Sequence, residues 1–145
     1  MATKGETPVS WALPAAADLR GSQYHAVTIN TSKQVALASN PFTDFYLGVL
    51  AGKPKSGEHA TVEKVGITKG HMGGPITLGD HLTYTTSGFF VKGNAALPRT
   101  TAQSGTTEFI NSAYALVGEA LETVASGAIG TMFTPGHVYT IIQSN

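Results

Sequence analysis

Residues Tyr46 to Leu82, YLGVLAGKPKSGEHATVEKVGITKGHMGGPITLGDHL, decide the fold. Leu47, Val49 and Ala51 alternate, and Lys53-Pro54-Lys55-Ser56-Gly57 then supplies a proline with fixed φ, a polar tip and a glycine free to take positive φ. This pattern predicts a hairpin. Its return strand places Ala60, Val62 and Lys64 on one face and Thr61, Glu63 and Val65 on the other. Gly66 before Ile67 suggests a bulge or a close backbone crossing. The run from Gly70 to Pro75 is too rich in glycine for a strand and reads as a loop, and Gly79-Asp80 closes the next turn before His81 to Tyr84 resumes the two-residue period.

Working outward, Tyr24 to Ile29 and Lys33 to Ala38 read as strands joined at Asn30-Thr31-Ser32, with Val27, Ile29, Val35 and Leu37 facing in. Ala15 to Gly21 reads as one helical turn. Downstream, Ser87-Gly88 is a hairpin tip, and the polar stretch from Lys92 to Thr107 reads as a long surface loop. Glu108 to Leu121 fits both a helical face and a strand; Gly118, which costs a helix about 1 kcal/mol relative to alanine, favours a strand from Tyr114. Ala128 to Phe133 and Val138 to Ile142 are the last strands, with turns at Ala125-Ser126-Gly127 and Pro135-Gly136. Many short strands at this turn spacing predict an all-β chain: a compact small β-barrel or β-sandwich-like domain over residues 15–145, preceded by an extended N-terminal arm over residues 1–14. In the arm, Val9, Trp11 and Leu13 stand two apart. Such a segment lies as an edge strand on another surface or folds back on its own domain.

Composition narrows the function classes. The 145 residues suit one domain; 41% are hydrophobic and 12% charged, about half the ~25% usual for soluble domains. A surface so poor in charge repels copies of itself weakly, which favours work in an assembly or against a large partner. Nine basic residues against nine acidic ones, with no basic run, argue against nucleic acid. No apolar run approaches the ~18 residues of a membrane span, so no membrane partner is expected. Zero cysteines exclude disulfides and thiolate chemistry.

No catalytic constellation emerges, and the chain is expected not to be an enzyme and to need no cofactor or metal. His25, His59, His71, His81 and His137 stand in no HxH or HExxH relation; His71, in its glycine run, is the first to inspect. No GxSxG elbow frames a serine. Glu119 and Glu122 differ by an odd number and point apart in one strand, and Asp80 suits the capping of its own turn.

The order of phrases resembles the phage head decoration, or capsid cement, proteins. The resemblance lies in Ala17-Asp18-Leu19 with Tyr24-His25-Ala26-Val27, then Gly48-Val49-Leu50, Pro54, Gly57-Glu58-His59-Ala60-Thr61-Val62 and Gly66-Ile67-Thr68-Lys69. It continues through Leu78-Gly79-Asp80-His81-Leu82, Ser87-Gly88, Leu116-Val117-Gly118-Glu119-Ala120-Leu121-Glu122 and Gly127, covering about Ala15 to Phe133. It implies a β-barrel-like virion protein, often a homotrimer, made in the host cytoplasm and bound to the outer surface of the capsid. There it would clamp major capsid protein subunits. The arm residues Val9, Trp11 and Leu13, outside the stretch that carries the resemblance, are expected from their spacing to be capsid contacts. A β-rich carbohydrate- or receptor-binding module is the alternative; it needs an exposed aromatic platform from Tyr46, Tyr84, Phe89 or Phe90.

Overall fold

The strand that follows the Pro54 turn does not stop at Gly66. In the computed structural model, which describes residues 9–41, 43–93, 101–104, 107–110, 112–135 and 139–143, it runs unbroken from His59 to His71. In chain order the strands are β1 (Val9–Pro14), β2 (Ala26–Ile29), β3 (Val35–Leu37), β4 (Gly48–Leu50), β5 (His59–His71), β6 (His81–Tyr84), β7 (Phe90–Lys92), β8 (Thr101–Ser104), β9 (Thr107–Ile110), β10 (Ser112–Leu116), β11 (Gly118–Ala120), β12 (Ile129–Pro135) and β13 (Tyr139–Gln143). Nine of them form one antiparallel sheet in the order β3-β2-β4-β5-β12-β11-β6-β7, with β1 also on β5; β10 pairs with β13, and β8 with β9. The domain is all-β, a curled half-barrel.

Hydrogen bonds at the two ends of β5 show how sharply it curls. Val62 pairs with Leu50; the Leu50 carbonyl accepts the Tyr24 N–H at 2.7 Å, and the Tyr24 carbonyl accepts the His71 N–H at 2.9 Å. These three neighbour spacings in succession span about 15 Å, whereas a straight strand from Val62 to His71 would run about 30 Å. The strand therefore folds over on itself. Gly66 sits in the middle with φ 121°, and the Thr68 hydroxyl donates to the Glu63 carboxylate, a pair that would point to opposite faces of a straight strand.

The bend divides the core in two. Ala60 and Val62, before it, pack with Val27, Val35, Leu47 and Leu50. Beyond it, Met72 packs with Tyr84, Phe90, Val117 and Met132. Ile29 and Leu37 pack half-buried against the first cluster, as their alternation predicts.

Three expectations need correction. Gly70 and His71 belong to β5 rather than to a loop, because Gly70 serves close packing: a Cβ there would stand 2.6 Å from the Met132 sulfur and 3.0 Å from Phe90. The predicted helical turn is a 3-10 turn at Arg20–Ser22 with Gly21 in its middle, set by the Asp18 carboxylate, which accepts the Arg20 N–H at 3.1 Å and its guanidinium at 2.6 Å. The predicted loop from Lys92 to Thr107 holds β8, which pairs with β9 from Thr101 opposite Ile110 to Ser104 opposite Thr107. Threonines suit a pleated strand even without large apolar neighbours. The turn expected at Pro135-Gly136 lies partly outside the described residues, Pro135 itself ending β12.

Gly118 keeps β11 and β12 close. A Cβ there would meet the Phe133 carbonyl oxygen at 2.5 Å, which is backbone and cannot step aside. Gly118→Ala should lower stability by about 1–3 kcal/mol and the melting temperature by several degrees. Gly21→Ala, with nothing within 4 Å of the new methyl, is the control and should melt within about a degree of the parent in the same calorimetric scan.

Candidate functional site

The arm is a strand of the sheet. β1 lies antiparallel on β5, with Trp11 opposite Val62 and Leu13 opposite Ala60, so the strand addition expected of it takes place on its own chain. Leu13 is half-buried against the first core cluster. Residues 1–8, and the side chains of Val9 and Trp11, lie outside what the structure describes.

Beside it, β12 and β5 place their bulk on the outer face. Their inner face pairs Gly130 with Gly70 and Met132 with Thr68; their outer face pairs Phe133 with Ile67 and Ile129 with His71. Glycine inside makes room for Met72, whose tip would lie 3.3 Å from a Cβ on Gly130. Outside, Ile67 is 44% exposed, Ile129 47% and Phe133 36%, and Leu121, bonded through its N–H to Thr131, is 38% exposed. An apolar ridge thus lies on the outer surface, interrupted by the Thr131–Lys69 pair, and exposed apolar patches mark interaction sites. Strand alternation could not reveal it, since both faces of Ile129 to Thr134 carry apolar residues.

The inside of the β5 bend holds a cleft of about 290 Å³, lined by Tyr24, Ala51, Glu63, Ile67, Thr68 and Lys69. Tyr24 takes φ 67°, a left-handed conformation that costs a residue with a Cβ about 1–2 kcal/mol. The bonds of its N–H to Leu50 and of its carbonyl to His71 hold it there.

A third feature sits where β5 ends. The His25 and His71 rings meet edge to face at 5.1 Å between centroids, with Phe89 at 4.5 Å from His25 and 4.8 Å from His71. His25 Nδ1 lies 3.1 Å from the Ser87 carbonyl and His71 Nε2 lies 3.1 Å from that of Gly127, so the two rings tie together the tips of two loops. Among the described residues no three of His, Cys, Asp and Glu converge as metal ligands would.

The remaining sequence candidates serve local structure. Asp80 Oδ2 accepts the Thr77 N–H at 2.9 Å, the turn cap expected of it, and Oδ1 pairs with Lys92 at 3.2 Å. Glu122 accepts the Thr131 N–H at 2.7 Å, whereas Glu119 stands 3.9 Å from His81. Of the four aromatics proposed as a platform, Tyr46, Tyr84 and Phe90 are core residues and Phe89 is half-buried against the histidines.

No family model matches the sequence, and no curated protein matches it. Among solved structures, the fold is similar to the N base of the head fiber gp8.5 of bacteriophage phi29. The TM-score is 0.58 over 90% of this chain and 96% of that one, at 16% sequence identity. At that identity the likeness is one of fold.

Burial holds the His25 imidazole below its ordinary pKa of 6.5, the neighbouring His71 adds to the effect, and the Ser87 carbonyl opposes it. The unfolded chain then takes up the proton first. The stability that His25 contributes is complete above pH 6.5 and is lost as pH falls from 6.5 through the lower folded value. Denaturant midpoints measured between pH 7.5 and 5 should fall in this window for the parent and stay flatter for His25→Gln. A parent curve as flat as that of the variant would contradict the reading.

Proposed function

We propose that this chain is a structural protein of a phage particle that binds the outer surface of the capsid as a homotrimer and holds neighbouring major capsid protein subunits together. The observation that carries the reading is the similarity in fold, over nearly the whole of both chains, to a protein that is the base of a phage head fiber. The sequence resemblance to capsid cement proteins rests on different grounds and points the same way. The apolar ridge supports it as well: Ile67, Ile129, Phe133 and Leu121 give a surface suited to lie against a large partner. The arm residues Val9, Trp11 and Leu13 are proposed to add to that contact from β1, which is already paired with β5 along one edge.

The proposed action is binding without catalysis. Asp18 and Arg20 neutralise each other, as do Asp80 and Lys92, and the formal net charge is zero. Charge steering is therefore a small part of the attraction, and apolar burial a large one.

Purified protein should co-sediment with undecorated capsids of the phage that encodes it, saturating at a fixed ratio, with affinity changing less than about threefold between 50 and 500 mM salt. Phe133→Lys on the ridge should weaken binding by about tenfold or more, as loss of a central aromatic anchor does. Absence of binding to shells, or binding to immobilised glycans alone, would reject the reading.

A further inference from the structure

Successive residues of a strand aim their N–H and C=O groups at opposite edges. Met72 gives its N–H to Ala128 on the β12 side, and His71 gives its N–H to Tyr24 on the other. Thr68 and Gly70 therefore serve β12, while Ile67 and Lys69 face away from it. On that far edge β4 reaches only Val62 and Glu63, and Tyr24 meets only His71. The main-chain donors and acceptors of Ile67 and Lys69 thus have no partner among the described residues, and these two residues border the cleft inside the bend.

Among the described residues this is an open edge in the middle of the sheet. A main chain in extended form is the ligand that offers donors and acceptors at matching intervals, which is how strand addition works. The side chains add a charge pattern: the Lys69 ammonium makes no ion pair among the described residues, and Glu63 uses one carboxylate oxygen on Thr68 and leaves the other open. Ile67 also belongs to the apolar ridge, so ridge and edge are continuous.

We propose that this edge receives an extended segment of a capsid subunit, about three residues long, through main-chain pairing with Ile67 and Lys69. An apolar side chain of that segment enters the cleft, set between a basic group against Glu63 and an acidic one against Lys69. The inference rests on the capsid-binding reading and names the contact through which it works.

Amide hydrogen exchange on the full chain, alone and bound to undecorated capsids, tests it. In the free protein the amides of Ile67 and Lys69 should exchange fast while those of Thr68 and Gly70, bonded to β12, are protected; on the shell Ile67 and Lys69 should slow by tenfold or more, roughly the loss of exchange expected when a bond closes. Lys69→Pro removes one outward N–H without touching the β12 ladder and should weaken shell binding about tenfold with an unchanged melting temperature. Shell binding with unchanged exchange at Ile67 and Lys69 overturns the inference and leaves the capsid reading standing; no shell binding overturns both. Protection of these two amides in the free protein also overturns it, since the edge is then already covered. If Lys69→Pro does not fold, the exchange of the parent protein decides alone.

Discussion

Everything in this chain turns on the bend of β5 at Gly66. Thirteen residues of strand are folded so that one half belongs to one core cluster and the other half leads into the second. The fold-over requires a residue that tolerates φ 121°, a side-chain clasp across it from Thr68 to Glu63, and a neighbour whose main chain touches both halves. That neighbour is Tyr24, held left-handed between Leu50 and His71. The bend also shapes the outer ridge of β5 and β12 and, among the described residues, the unpaired edge beside the cleft. A residue with a side chain at position 66 would strain the strand where both core clusters depend on it.

How much of this was legible beforehand follows from what glycine and proline can signal. The hairpin tips at Gly57, Gly79, Gly88 and Gly127 all carry positive φ and all stand where turn chemistry puts them. Gly70 is the contrasting case. A glycine chosen for turning and one chosen for close approach look the same in sequence, and only its partner Gly130 and the sulfur of Met132 tell them apart. Both partners lie about sixty residues away in the chain, beyond the reach of any local pattern. The same limit hid the ridge: Ile129 and Phe133 alternate with Gly130 and Met132, and hydrophobicity alone would have put the larger pair inside. Cysteine count and charge, by contrast, needed no partner to be informative, since they act through totals.

Along β5 and β12 small residues, Gly70 and Gly130, face the core while Ile67, Ile129 and Phe133 face outward. Stability alone does not require Ile67, Ile129, Phe133 and Leu121 to be exposed, and exposure of apolar surface to water is unfavourable by roughly 25 cal/mol per Å². On the proposed reading, binding to a regular shell would turn that deficit into the driving force, repeated at every site of the lattice. The histidine clasp of His25 and His71 stands apart from this surface; it joins the loop tips at Ser87 and Gly127 and acts on the stability of the domain.

On the proposed reading, binding alone reinforces the shell. A ligand that recognises only the assembled shell stabilises it by about 2.7 kcal/mol per site at a free concentration 100 times its dissociation constant. The direct measurement is the melting temperature of undecorated capsids, by scanning calorimetry, as purified protein is added to saturation. A rise that tracks occupancy and levels off when the sites are full is the predicted result. Capsids that take up the protein in full and still melt at the temperature of bare shells would contradict the account.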